Sequence, residues 1–279
     1  MSTISKYLLI PVAVIVLLLL WVRFQEQFGI FHPRPASPSA VQTLPASIDF
    51  IEFDSEDGTK ITGLWKSRQE TAPVVVMAHG NAGNMFDRLH WFQQALPTGW
   101  NGLLFDYRGY GLSEGSPDEE GVYDDTLAAV RYARSKRPGA PLLMHGRSLG
   151  TPLMAHASMT IEPEGLILES GFPSGEAMGK TILPIPGLRY LMSVEFHTVE
   201  YLSRSRKSEP FPVFLIHGTE DRIVPLSLGK TLFEKIHPPK DHWWVSGAGH
   251  NNLFSMAGQE YPSNLTRFYR EMVADSNGT

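Results

Sequence analysis

Short, continuous apolar runs recur along this chain, and each one stops at a small or polar residue. VVVMA (74–78), NGLLFD (101–106), PLLMHG (141–146), GLILES (165–170) and PVFLIHG (212–218) share this form, and HWWV (242–245) follows it near the C-terminus. A run this short and unbroken fits a strand buried on both faces, as in a parallel sheet covered by helices. Helical stretches fall between the runs. One starts at Ser116-Pro117-Asp118-Glu119, with Ser116 as N-cap, Pro117 as first helical residue and Glu119 closing a capping box. It ends at Lys136-Arg137-Pro138-Gly139, where cations meet the negative end of the dipole. Further helices are predicted from Pro225 to the His237-Pro238-Pro239 break and from about Glu260 to Val273. Ahead of the alternation, IDFIEF (48–53) and KITGLW (60–65) flank Ser-Glu-Asp-Gly and predict an antiparallel hairpin. The expectation is α/β: a mostly parallel sheet with helices on both faces.

Composition narrows the chemistry. The chain has no Cys, which removes disulfides, thiolate metal sites and Cys nucleophiles together. Its formal charge of −5 is spread along the sequence, with no basic block to suggest nucleic acid. His32, His90, His156, His197, His237 and His242 lack ligand spacing, and no H-E-x-x-H occurs. No metal and no cofactor are expected.

Tyr7 to Val22 is uncharged and flanked by Lys6 and Arg23. It reads as one N-terminal transmembrane helix (1–24), extended by Ile4 and Phe24, with Trp21 at the interface. A cleaved signal is the rival, but RFQEQFGIF offers no small-residue cleavage site. The expectation is a single-pass anchor binding the lipid bilayer, in a bacterial inner membrane with the soluble part outside the cytoplasm. The flanking charges leave the orientation open. A linker stiffened by Pro33, Pro35, Pro38 and Pro45 (25–46) then leads to one domain, 47–279.

Gly146-Arg147-Ser148-Leu149-Gly150 is G-x-S-x-G between an apolar run and the helix-like TPLMAHASM. Such a turn lifts a serine hydroxyl above the sheet at a helix N-terminus, and Gly146 and Gly150 remove Cβ atoms where strand and helix crowd. The five-residue pattern alone is weak; its context is what counts. A serine needs a base, and the base needs an orienting carboxylate. Asp221, just beyond PVFLIHG, and His250, in the glycine loop after HWWV, follow Ser148 in the order serine, acid, base. Glu169 also ends a predicted strand and is the reserve acid. The oxyanion donors are expected at the backbone N–H of Leu149 and, in His79-Gly80-Asn81-Ala82-Gly83-Asn84, of Asn81, with Ala82 as fallback. A phosphate-cradling loop there lacks the Gly-Lys-Ser/Thr that should follow.

Taken together, HGNAGN (79–84), FDYRGYGLSEG (105–115), GRSLGT (146–151), HGTEDRIVP (217–225) and GAGHNN (247–252) resemble the small membrane-anchored serine hydrolases of the α/β-hydrolase superfamily. These include monoacylglycerol and lysophospholipid lipases and protein depalmitoylases. The resemblance spans roughly residues 48 to 272. It implies an α/β-hydrolase fold with a short cap (about 171–210), Ser148, Asp221 and His250 as catalytic triad, and Asn81 and Leu149 as oxyanion donors. It further implies hydrolysis of carboxylic esters or thioesters, with acyl lipids or other acylated molecules as substrates. In FDYRGYG, Asp106 and Arg108 are expected to hold the loop together rather than touch substrate. The apolar patch 182–192 is expected either to line an acyl pocket, to lean on the membrane or simply to pack on the core. A serine peptidase on the same fold, or a non-catalytic binding module, are the alternatives.

Overall fold

A computed structural model of the chain describes residues 3–205, 210–237 and 239–276. Its centre is a sheet of eight strands: β1 (Asp49–Asp54), β2 (Lys60–Lys66), β3 (Val74–Ala78), β4 (Asn101–Phe105), β5 (Leu142–Arg147), β6 (Gly165–Glu169), β7 (Val213–Gly218) and β8 (Lys240–Val245). Their spatial order is β1-β2-β4-β3-β5-β6-β7-β8. Only β2 runs antiparallel to its neighbours, pairing with β1 as the predicted hairpin and with β4 on its other side. All other pairings are parallel.

The continuous apolar runs are explained by what covers them. Val74, Val76 and Ala78 face one buried cluster, while Val75 and Met77 face another. Leu166 and Leu168 likewise oppose Ile167. Successive side chains of a strand point to opposite faces, so a strand covered on both sides is apolar at successive positions. Helices α3 (Glu119–Lys136) and α4 (Gly150–Ala157) contribute to the first cluster through Val122, Val130, Leu153 and Met154. Helices α2 (Leu89–Ala95) and α9 (Glu260–Ser276) contribute to the second through Phe92, Tyr261, Leu265 and Tyr269. At about 1.5–3 kcal/mol for each fully buried Leu, Ile or Phe, the two layers make the sheet a rigid platform for whatever stands at its strand ends.

The segment between β6 and β7, where a cap is expected, holds α5 (Gly175–Ile182), a 3-10 turn at Leu188–Tyr190 and α6 (Thr198–Ser205). Helix α7 (Leu226–Lys235) follows β7, and the short α8 (Leu253–Ala257) precedes α9. Helix α3 starts later than its sequence suggests. Asp118, not Ser116, is the N-cap, its carboxylate accepting the Gly121 N–H at 2.7 Å. The expected capping box does not form because Glu119 is engaged elsewhere. Its carboxylate accepts the N–H groups of Glu195 and Phe196 at 2.7 Å each, pinning the segment between β6 and β7 to α3.

The N-terminal region departs further from expectation. Tyr7–Val22 lies within α1 (Thr3–Gly29), which contains Pro11. Among the described residues, however, no helix is long and apolar enough to cross a membrane. Sixteen uncharged residues rise only about 24 Å, against a hydrocarbon core of about 30 Å. The transmembrane anchor, the bilayer as its partner and the inner-membrane location are therefore corrected. The Pro-rich segment that follows is also partly ordered by pairing. His32–Pro33 lies parallel to Ala82–Gly83, and Pro35 bridges to Gly111.

Candidate active site

Ser148 sits at the junction of β5 and α4 with φ of 52°, in the left-handed region that a side chain normally avoids. The turn is held from both directions. Ser148 N–H donates to Glu169 O at 2.8 Å, and Ser148 O accepts from Thr151 N and Oγ1 at 2.9 and 2.7 Å. The flanking glycines are steric requirements: a Cβ on Gly146 would lie 2.2 Å from Gly150 O, and one on Gly150 would lie 2.2 Å from Ala78 O. Backbone oxygens cannot swing aside, so no larger residue fits either position.

Asp221 follows β7, with its side chain fully buried. Its Oδ1 accepts the N–H groups of Ile223 and Val224 at 2.9 and 2.8 Å. Its Oδ2 lies 2.7 Å from His250 Nδ1, while His250 Nε2 lies 3.1 Å from Ser148 Oγ. Burial alone would raise the Asp221 pKa. The His250 hydrogen bond and charge and the two backbone donors outweigh it and hold the carboxyl below its ordinary range. An ionised Asp221 fixes the tautomer of His250: Nδ1 carries the proton and donates, leaving Nε2 to accept from the serine hydroxyl. A second imidazole, His217, stands 3.5 Å from Asp221 Oδ2. It donates instead to Val224 O at 2.8 Å, and burial lowers its pKa.

The loop after β3 passes beside the serine. A Cβ on Gly80 would lie 3.4 Å from Ser148 Cβ. Asn81 Oδ1 accepts from His32 N–H at 2.8 Å and from the Tyr110 hydroxyl at 3.1 Å, so its side chain is turned to the scaffold. Among the described residues, the backbone N–H groups of Asn81 and Leu149 donate to no protein acceptor. Behind this loop, Asp106 Oδ1 accepts Met85 N–H at 2.7 Å and lies 3.1 Å from His79 Nε2, and Arg108 bonds Asp125 and Asp57. Neither Asp106 nor Arg108 lines the cavity at Ser148.

That cavity, of about 770 Å³, collects Gly80, Asn81, Ser148, Leu149 and His250. From the 182–192 patch it takes only Ile182 and Met192; Leu188 is buried and Tyr190 is exposed. Sequence reasoning missed Ile30, Arg88, Phe196 and Arg222, which also line it. They come from four separate parts of the chain and carry no shared spacing. Glu169, the reserve acid, does not reach His250. It is buried against Arg147 Nε at 2.9 Å, His145 Nε2 at 3.3 Å and the Tyr261 hydroxyl. Among the described residues, no group of three or more His, Asp or Glu side chains is arranged to hold a metal ion.

The profile of a family described as "alpha/beta hydrolase fold" matches residues 73–177, the stretch from β3 through the elbow into α5. YfhR of Escherichia coli (strain K12), itself called uncharacterized, is 32% identical over 247 residues covering 84% of each chain. The chain belongs to the α/β-hydrolase family. A lysophosphatidylserine lipase of Danio rerio, ABHD12, is 29% identical over 74% of this α/β hydrolase and 60% of its own length. The Pyrococcus furiosus esterase Pf2001 superposes with a TM-score of 0.65 at 17% identity, covering 88% of this chain and 98% of that one. At that identity the likeness is one of fold. It matches an α/β hydrolase in which Ser148, Asp221 and His250 meet from three strand ends of one sheet.

Proposed function

We propose that the protein is a serine hydrolase that cleaves carboxylic esters or thioesters of acyl groups, with Ser148, His250 and Asp221 as its triad. The observation that carries this reading is His250, spanning Asp221 at 2.7 Å and Ser148 at 3.1 Å. Ser148 Oγ attacks the carbonyl carbon while His250 Nε2 takes its proton, and Asp221 stabilises the imidazolium that forms. The N–H groups of Asn81 and Leu149 receive the oxyanion. Collapse of the tetrahedral intermediate breaks the bond to the alcohol or thiol, which leaves with the proton from His250. Water then attacks the acyl-enzyme, giving its proton to His250, and the acid departs as Ser148 is reprotonated.

An acylated substrate is supported by the apolar side chains of Phe172, Met178, Ile182 and Phe196 along the cavity. The lipase name of the Danio rerio relative points the same way. A fluorophosphonate probe, which phosphonylates an activated serine, tests the reading. Wild type is labelled and Ser148→Ala is not, while ester hydrolysis by Ser148→Ala falls by about 10⁴–10⁶. Equal labelling of the two proteins would remove Ser148 from the mechanism.

A further inference from the structure

The cavity at Ser148 has walls of two kinds. The cap contributes Phe172, Met178, Met192, Val194 and Phe196. The opposite side contributes Arg88, which ends the 3-10 turn Met85–Arg88, Arg147, the last residue of β5, and Arg222 after β7, and no Asp or Glu is among the lining residues. A chain whose formal charge is −5 thus lines this cavity with three guanidinium groups, while the carboxylates of Asp221 and Glu169 lie behind the wall, engaged by His250 and Arg147.

The three arginines are not equivalent. Arg147 is committed to the scaffold: Nε faces Glu169, and Nη2 donates to His250 O at 2.6 Å and Asn251 Oδ1 at 3.2 Å. Arg88 is half-buried, and its Nη2 donates to Ala82 O at 2.6 Å. Its Nε is buried and meets no acceptor. The adjacent Asp87 is paired with Arg34, and Arg88 has no ion-pair partner among the described residues. Burial and the like charge of Arg147 lower the Arg88 pKa, and the carboxylates of Asp87 and Asp106 offset this only in part. Arg222, next to Asp221, is exposed and likewise has no ion pair among the described residues.

A half-buried cation that lines a cavity and has no ion-pair partner among the described residues is costly until an anion meets it. The planar guanidinium fork suits phosphate oxygens better than it suits hydroxyls. We propose that Arg88, with Arg222 at the rim, receives a phosphate group carried on the alcohol or thiol side of the acyl substrate. The enzyme then takes phosphate-bearing acyl esters or thioesters in preference to neutral ones of the same chain. This rests on the hydrolase reading above and adds the part of the substrate that the apolar wall leaves undefined.

Matched pairs test it: oleoyl-lysophosphatidylglycerol against monooleoylglycerol, and oleoyl-coenzyme A against the oleoyl thioester of N-acetylcysteamine. In wild type, kcat/KM for at least one phosphate-bearing member exceeds its neutral partner by about tenfold or more, and the ratio falls with added salt. The pair that shows it tells whether the phosphate belongs to a lipid headgroup or to a nucleotide thioester. Arg88→Gln lowers that ratio by about tenfold, chiefly through KM, and Arg88→Lys recovers part of it. Equal loss on charged and neutral members would make Arg88 merely structural and overturn the proposal. A ratio near one in wild type would do the same without any variant, which covers the case of a poorly folding Arg88→Gln. If Ser148 is labelled by the fluorophosphonate but the ratio is near one, the subsite falls and the hydrolase reading stands. If Ser148 is not labelled, both fall.

Discussion

Two carboxylate–histidine pairs stand at the ends of neighbouring strands, and they look alike until the far side of each imidazole is considered. At the end of β7, Asp221 holds His250, whose other nitrogen meets the Ser148 hydroxyl inside a cavity. At the end of β6, Glu169 lies beside His145, whose other nitrogen meets the Tyr269 hydroxyl in the core. Both acids are held below the ordinary carboxylate range, and burial opposes this in each. Asp221 is brought down by His250 and two backbone donors, and Glu169, to about 2, by its contacts with His145, Arg147 and Tyr261. A depressed acid pKa beside a histidine is therefore no sign of catalysis by itself. What differs is access: His250 touches a cavity-lining hydroxyl, whereas His145 is sealed between Trp91 and Tyr269.

The contrast can be broken experimentally. Asp221→Asn removes the acceptor that sets the His250 tautomer, and kcat is expected to fall by about 10⁴ while circular dichroism stays native. A loss of only a few-fold would return Glu169 to consideration. Glu169→Gln should do the opposite. It strands the buried Arg147 charge and costs about 3–5 kcal/mol in denaturant unfolding, with far less loss of kcat per folded molecule than Asp221→Asn. The acid limb of stability sharpens the point. A carboxylate depressed to about 2 contributes stability that is present above its ordinary range and lost as pH falls toward that value. Glu169→Gln should accordingly flatten the stability decline between about pH 4.5 and 2, seen as thermal midpoints across that window. Asp106 works in the other sense: burial raises its pKa, so protonation favours the fold and offsets part of the acid loss. Smallest of all, Tyr261→Phe removes one donor to Glu169 and the acceptor of Trp91 Nε1 at 2.9 Å. It should cost about 1–2 kcal/mol and leave kcat unaltered.

The sheet was legible because both its faces are covered, so every buried strand appeared as an unbroken apolar run. The order Ser148, Asp221, His250 was legible because strand ends of a parallel sheet all open on one edge. What escaped the sequence depends on distant partners. Ser116 and Asp118 are both good caps on paper; Glu119 settles the choice by leaving the capping box for the N–H groups of Glu195 and Phe196. Arg88 belongs to no motif, and only the folded chain shows that Asp87 is taken by Arg34. Glu169, the reserve acid, ends a strand as expected, but its carboxylate is directed at Arg147, His145 and Tyr261 rather than at His250. For the N-terminal helix, hydropathy argued for an anchor and the length of the uncharged run argued against it.

The hydrogen bond from His32 N–H to Asn81 Oδ1 has a practical side for anyone preparing this protein. Trimming the chain back to the first obvious strand, β1, is a natural way to shed the greasy N-terminal helix. Such a trim also discards Ile30 and His32, which line the cavity, and the strand pairing that braces Ala82 and Gly83. A recombinant protein cut after residue 36 would retain Ser148, Asp221 and His250 yet lose a brace on the neighbouring loop, and weak turnover from it would say little about the native enzyme. Cuts intended to improve handling belong upstream of Ile30.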